Sequence, residues 1–252
     1  MDADLERRFG GIARLYGEAG FGRLRTAHCC VVGIGGVGSW AAEALARSGI
    51  GALTLIDLDM VAESNTNRQV HALGDEYGKA KVNAMAVRIG AINPACRVTC
   101  IEDFVTPENC PSLLRTDFSY VIDAIDQART KAAMIAHCRR QRIPLITAGA
   151  AGGQLDPTRI RVADLARTEQ DPLLAKVRTL LRREHGFTRK PREKFGIAAV
   201  YSDEPLRYPQ ASCSVPAAAS GLNCAGFGSS VCVTAAFGLA AAAHALQEIS
   251  NG

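Results

Sequence analysis

Between residues 28 and 148 the chain alternates short, unbroken apolar runs with stretches of helical periodicity. The runs at 28–33, 52–57, 97–101, 118–124 and 143–148 are rich in Val, Ile and Leu and carry no polar alternation, the pattern of strands covered on both faces. The intervening segments 36–48, 79–92 and 128–142 read as helices. Segment 79–92 gathers Val82, Met85, Ala86 and Ile89 on one face and stops at Asn93-Pro94, because proline disfavours helix in the residue before it. Strand and helix repeated in this order predict a doubly wound, mainly parallel α/β sheet.

The rest of the chain is less regular. A glycine-rich stretch at 149–153 reads as a flexible hinge, followed by a strand at 159–163, a basic helix, a strand at 197–201 and a loop containing Pro205, Pro209 and Pro216. No Asp, Glu, Lys or Arg occurs between Arg207 and Glu248, and 226–247 is apolar over a membrane-spanning length. That segment is rich in Ala, Gly, Ser and Thr and lacks a basic flank, so a buried core helix is expected, with a membrane helix the lesser alternative. One domain is expected over 1–252, with a core at 1–153 and a C-terminal extension at 154–252 that holds the basic segment 176–194.

Composition narrows the class. With 252 residues, 48% hydrophobic and 21% charged, the chain can bury a core unaided, which excludes disordered, collagenous and cysteine-stapled proteins. Its nine cysteines are odd in number and form no C-x-x-C pair, so no zinc site is expected. A charged rather than apolar start points to a reducing cytosol. Segment 176–194 holds eight basic and two acidic residues, a local +6 on a chain of net charge +4. Such a segment suits a phosphate-rich partner, and a solvated helix face is its plainer explanation.

Residues 31–39, VVGIGGVGS, set Gly33, Gly35 and Gly38 as G-x-G-x-x-G between a strand and a helix. Backbone N–H groups there can approach a phosphate at the positive end of the helix dipole, so a nucleotide is expected. Asp57 follows at the distance that suits a carboxylate accepting ribose hydroxyls. NAD would satisfy this much. The next segment, DLDMVAESNTNRQ at 57–69, and GKAK at 78–81 add Asp59, Asn65, Arg68 and Lys81. Cations beside a glycine loop favour ATP, whose triphosphate needs neutralising when pyrophosphate leaves. VIDAIDQ at 121–127 puts two carboxylates at a strand's C-terminal edge: Asp126 as a candidate Mg²⁺ ligand and Asp123 as a residue that orients a turn.

The runs GIGGVGS, LIDLD, SNTNRQ, GKAK and AIDQ resemble the ATP-dependent adenylating superfamily of ThiF, MoeB, HesA and the ubiquitin-activating enzymes. RFGGIARLYG (8–17), DFVTP (103–107), GAAGGQ (149–154), Asp171-Pro172, YPQ (208–210) and CAGFG (224–228) are similar to the bacterial tRNA threonylcarbamoyladenosine dehydratases within it. The resemblance implies a Rossmann-like sheet in which Gly36 lies against phosphates and Asp57 holds the ribose. Asn65, Arg68 and Lys81 would contact the triphosphate, and Asp126 would hold Mg²⁺. It further implies a homodimer and a sulfur-relay partner. Where related enzymes carry an N-terminal arginine that reaches into the partner's site, this sequence has Gly11, with Arg14 nearby. ThiF- and MoeB-type proteins usually have two zinc-binding C-x-x-C pairs, and this chain has none.

The implied substrate is tRNA bearing threonylcarbamoyladenosine beside the anticodon. Its threonine carboxylate would be adenylated by ATP and closed into a ring with net loss of water, and Arg182, Arg183, Arg189, Lys190, Arg192 and Lys194 are candidate RNA contacts. Cys224 precedes an expected helix and is a candidate for a transient thioester, against the commoner role of a core or loop cysteine. Cys29 and Cys30 read as strand packing. Three other functions stay open on the sequence: adenylation of a ubiquitin-like or sulfur-carrier protein, a non-catalytic nucleotide-binding module and, more distantly, an NAD oxidoreductase.

Overall fold

The computed structural model describes residues 4–208 and 227–252. Helix α1 (Leu5–Thr26) leads into strand β1 (His28–Val32), helix α2 (Gly38–Arg47) and strand β2 (Ala52–Ile56). Helix α3 (Lys81–Ile92), strand β3 (Arg97–Ile101), the one-turn helix α4 (Cys110–Leu113), strand β4 (Tyr120–Asp123), helix α5 (Ala128–Gln141) and strand β5 (Leu145–Ala148) continue the alternation. Strand β6 (Ile160–Asp164), helix α6 (Pro172–Glu184), strand β7 (Ala198–Ser202) and helix α7 (Val231–Asn251) complete it.

The seven strands form one sheet in the order β3-β2-β1-β4-β5-β7-β6. All neighbours are parallel except β6 and β7. The five expected strands are therefore present, doubly wound, with ends trimmed by a residue or two. Alternate residues feed two cores. Cys29, Val31, Leu53, Leu55 and Ile122 pack with α2, α3 and α7, while Cys30, Val32, Ile56 and Val121 pack with α4, α5 and α6. Burial on both faces is why these strands read as unbroken apolar runs.

Three expectations change. The helix expected from 79 begins at Lys81, because Ala80 runs extended in a bridge to Met60 and Lys79 C=O accepts the Val61 N–H at 2.8 Å. Residues 149–153 are a fixed wall rather than a hinge. A Cβ on Gly149 would collide with the Asp171 carboxylate, the Ala150 N–H donates to Asp171 Oδ2 at 2.9 Å, and the Gly153 N–H donates to Gly228 C=O at 2.8 Å. The apolar helix starts at Val231, where Ser230 caps it. By length and composition α7 could cross a membrane, yet Val233, Phe237, Ala241, Ala242 and Ala245 are buried in the core. Cys213 and Cys224 lie outside the described residues.

Candidate active site

Strands β2 and β4 flank β1 on opposite sides, so the connections after β1 and β4 leave the sheet in opposite directions and open a crevice at their C-terminal ends. A cavity of about 340 Å³ occupies it, lined by the loop after β1, the end of β2, the turn after β4 and residues 149–152. The motifs and the family resemblance mark Gly33, Gly35, Gly36, Asp57, Asp59, Asn65, Arg68, Lys81 and Asp126, and all nine line this cavity.

The glycine loop is built by contact. Gly33 has φ of +85°, and its N–H donates to Ile56 C=O at 2.9 Å, which holds the loop on the sheet. A Cβ on Gly38 would collide with Gly33 C=O, so α2 can start this close to the strand only with glycine there. Gly38 thus shapes the loop without lining the cavity.

Asp57 is buried, and each carboxylate oxygen accepts a backbone N–H, from Ile34 at 2.6 Å and from Asp59 at 2.8 Å. Burial raises its pKa above the usual aspartate value, opposed by the nearby Lys81 charge and by those two hydrogen bonds. A carboxylate can accept further hydrogen bonds beyond these two, which leaves capacity for hydroxyls entering the cavity. Lys81, also buried, puts Nζ 2.7 Å from Asp59 Oδ2, so Asp59 is the counter-ion that keeps this ammonium at the cavity wall.

Asn65 spends Oδ1 on the Ala62 N–H at 3.0 Å. Arg68 is half-buried; its guanidinium donates to Ser64 C=O at 2.7 Å and to Asn67 Oδ1 at 2.9 Å, and its backbone carbonyl accepts the Trp40 indole N–H at 3.0 Å. Its aliphatic stem covers Gly36, where a Cβ would sit 3.2 Å from Arg68 Cγ. The glycine loop and the arginine are therefore one surface.

At the end of β4, Asp123 is wholly buried. Lys131 Nζ lies 2.8 Å from its Oδ1, Thr147 Oγ1 donates to its Oδ2 at 2.7 Å, and Lys131 Nζ also donates to Ile125 C=O at 2.8 Å. Asp123 thus orients the turn, as its position suggested, and Asp126 faces the cavity from that turn. Among the described residues no group of three or more His, Cys, Asp and Glu side chains converges. A single carboxylate beside a phosphate cradle is still a donor set that suits Mg²⁺, which takes one or two carboxylates plus phosphate oxygens and water.

Several residues that line or brace the wall lie outside the nucleotide motifs read from the sequence. Asp171 is buried, caps α6 by accepting the Leu174 N–H at 2.8 Å and fixes residues 149–150, while burial raises its pKa. Its signal was Asp171-Pro172, a cap residue before proline at a helix start. Phe104, Leu173, Leu206 and Phe227 supply apolar surface, and Thr234 enters from α7. Nothing in the local sequence pairs Thr234 with a glycine loop about two hundred residues earlier.

A family model described as the ThiF family matches residues 10–251 of this chain. The chain belongs to the ThiF family. Its relatives in that family include the tRNA threonylcarbamoyladenosine dehydratase of Escherichia coli K12, 56% identical over 250 residues, which span 96% of this chain and 93% of the relative. The protein of the same description from Haemophilus influenzae is 52% identical over 249 residues, 98% of this chain and 94% of the relative. The crystal structure of the E. coli dehydratase in complex with ATP superposes with a TM-score of 0.89 at 54% identity, covering 99% of this chain and 96% of that one.

In this ThiF-family chain the basic segment divides into two kinds of residue. Arg182 is half-buried, stacks over the Phe195 ring at 5.2 Å and donates to Thr188 C=O, and half-buried Arg178 hydrogen-bonds Thr168 Oγ1. These contacts hold α6 to the loop behind it. Arg183 pairs with Glu184 and Lys190 with Glu193 on the surface. Arg189, Arg192 and Lys194 are exposed. The described cysteines are mostly core: burial pushes the Cys29 and Cys138 thiols up to about 12 and Cys96 and Cys110 up to about 11, so they are not thiolates near neutrality.

Proposed function

We propose that this ThiF-family protein is an ATP-dependent tRNA threonylcarbamoyladenosine dehydratase. The observation that carries the reading is the meeting of the glycine loop, Asp57, Asn65, Arg68, Lys81 and Asp126 in one crevice, in a chain so similar over its length to dehydratases of that description. Asp57 accepts the ribose hydroxyls of ATP, and the loop at 33–38 receives the phosphates at the start of α2.

The threonine carboxylate of the modified adenosine attacks the α-phosphorus of ATP. A carboxylate oxygen–phosphorus bond forms, the α–β anhydride bond breaks, and pyrophosphate leaves. Arg68 and Lys81 offset the charge that builds on the departing phosphates, the first as a planar fork and the second as a point charge held by Asp59. Asp126 would hold Mg²⁺, which supplies further neutralisation of the triphosphate when bound. An atom of the carbamoyl group then attacks the activated carbonyl, AMP departs, and the net change is loss of one water. Arg183, Arg189, Lys190, Arg192 and Lys194 are the side chains we assign to RNA. A homodimer and a sulfur-relay partner belong to this reading on family resemblance alone, as does a thioester role for Cys224.

The test is to incubate the protein with Mg·ATP and tRNA with or without the threonylcarbamoyl group, then weigh the released nucleosides by mass spectrometry. Loss of one water from the modified nucleoside alone is expected. An unchanged nucleoside, with AMP released on a small carrier protein instead, would replace this reading with adenylation of a protein C-terminus.

A further inference from the structure

We infer that helix α7 contributes the Thr234 hydroxyl to the nucleotide cavity as a ligand for the phosphate chain of a nucleoside triphosphate. The inference rests on the nucleotide reading above and adds to it a contact from the opposite end of the chain. Thr234 lies in the first turn of a 21-residue helix, lines the cavity and is 4% exposed. Its backbone N–H donates to Ser230 C=O at 3.0 Å, yet its hydroxyl has no hydrogen-bond partner among the described residues. A helical threonine ordinarily bonds back to the carbonyl one turn earlier, so an unpartnered hydroxyl at a buried position marks a ligand still to be met.

The surroundings identify that ligand as anionic. A Cβ on Gly36 would lie 3.4 Å from Thr234 Cβ and 3.2 Å from Arg68 Cγ, so the threonine, the arginine stem and the glycine loop share one floor. Helix α7 can lie this close to α2 because Gly238 abuts the Val37 backbone, where any Cβ would collide. Thr234 is thereby brought against the glycine loop that leads into α2, and no acidic residue occupies the first turn of either helix. The positive end of α2, a guanidinium and a hydroxyl donor match phosphate oxygens. Thr234 adjoins Gly36 and the Arg68 stem, the part of the cavity assigned to the phosphates, and so meets the phosphates rather than the sugar.

The experiment compares ATP and adenosine binding by calorimetry for the wild-type protein, Thr234→Val and Thr234→Ser. Valine keeps the buried volume and removes the hydroxyl. Thr234→Val should weaken ATP about tenfold, the scale of a lost hydrogen bond to a charged group, and leave adenosine unchanged; Thr234→Ser should bind ATP within about twofold of wild type. Unchanged ATP affinity in Thr234→Val overturns the inference. So does an equal loss for ATP and adenosine, or a serine variant as weak as the valine one, since either would mean that packing and not the hydroxyl is at work. Failure of the wild-type protein to bind ATP would instead overturn the nucleotide reading beneath it.

Discussion

The ammonium of Lys131 and the carboxylate of Asp123 lie 2.8 Å apart with neither side chain reaching solvent, at the base of the turn from which Asp126 faces the cavity. Thr147 Oγ1 and Ile125 C=O complete their hydrogen bonds, so the pair fixes the turn. Such a pair contributes little net stability but is costly to break from one side only. Lys131→Met, which leaves a bare carboxylate in the core, should destabilise the fold by about 3–5 kcal/mol in denaturant titrations. The double variant Lys131→Met with Asp123→Leu should recover most of that loss.

Nucleotide affinity should depend on the ionised form of Asp57. Because burial raises its pKa, protonation sets in at a higher pH than for an exposed aspartate, and ATP affinity should fall as pH drops through that range. Asp57→Asn should bind ATP at least about tenfold more weakly and lose this acid limb. Calorimetry from pH 7 downward reads both effects.

Stability should have its own acid limb, set by His71. Burial and the charges of Lys81 and Arg88 push its pKa down from 6.5 to about 4, and neither ring nitrogen finds a partner among the described residues. The folded state thus holds this ring neutral while the unfolded chain protonates it. The stability this contributes is complete above pH 6.5 and is lost as pH falls toward 4. The shift corresponds to about 3 kcal/mol, and His71→Leu should show that much less loss of unfolding free energy between neutral pH and pH 4.

The basic segment should separate by substitution. Reversing Arg189, Arg192 and Lys194 to Glu should weaken tRNA binding and lower its salt slope by about one for each phosphate no longer neutralised, with the melting temperature unchanged. Arg182→Glu should act in the opposite sense, lowering the melting temperature by removing the stacking on Phe195. Filter binding across a salt series, beside thermal melts, distinguishes them.

Elements with a local signature are visible in the sequence, and elements decided by distant packing are not. The five inner strands stand out because burial on both faces writes an unbroken apolar run, and Asp57, Asn65, Arg68, Lys81 and Asp126 because each follows the end of such a strand. Helix α1 does not: glycines at 10, 11, 17, 20 and 22 weaken its pattern, and Gly17, with φ of +73°, kinks it. The antiparallel entry of β6 is decided by its pairing with β7, and no residue within β6 records it. Thr234 reaches the cavity, and Asp171 braces its wall at Ala150, only through the packing of α7 and α6, so their parts become visible only when those helices are placed against the sheet.

The chemistry proposed for this cavity turns on one bond of ATP, the anhydride between its α- and β-phosphorus, broken as the α-phosphorus passes to a carboxylate of the modified tRNA. Incubation with ATP radiolabelled on the α-phosphorus, Mg²⁺ and tRNA carrying threonylcarbamoyladenosine, followed by separation of the nucleotides, reads that bond directly. Label should appear in AMP, in step with pyrophosphate and only with the modified tRNA, and Arg68→Ala should abolish it. Label recovered in ADP, or AMP formed equally without the modified nucleoside, would rule this chemistry out.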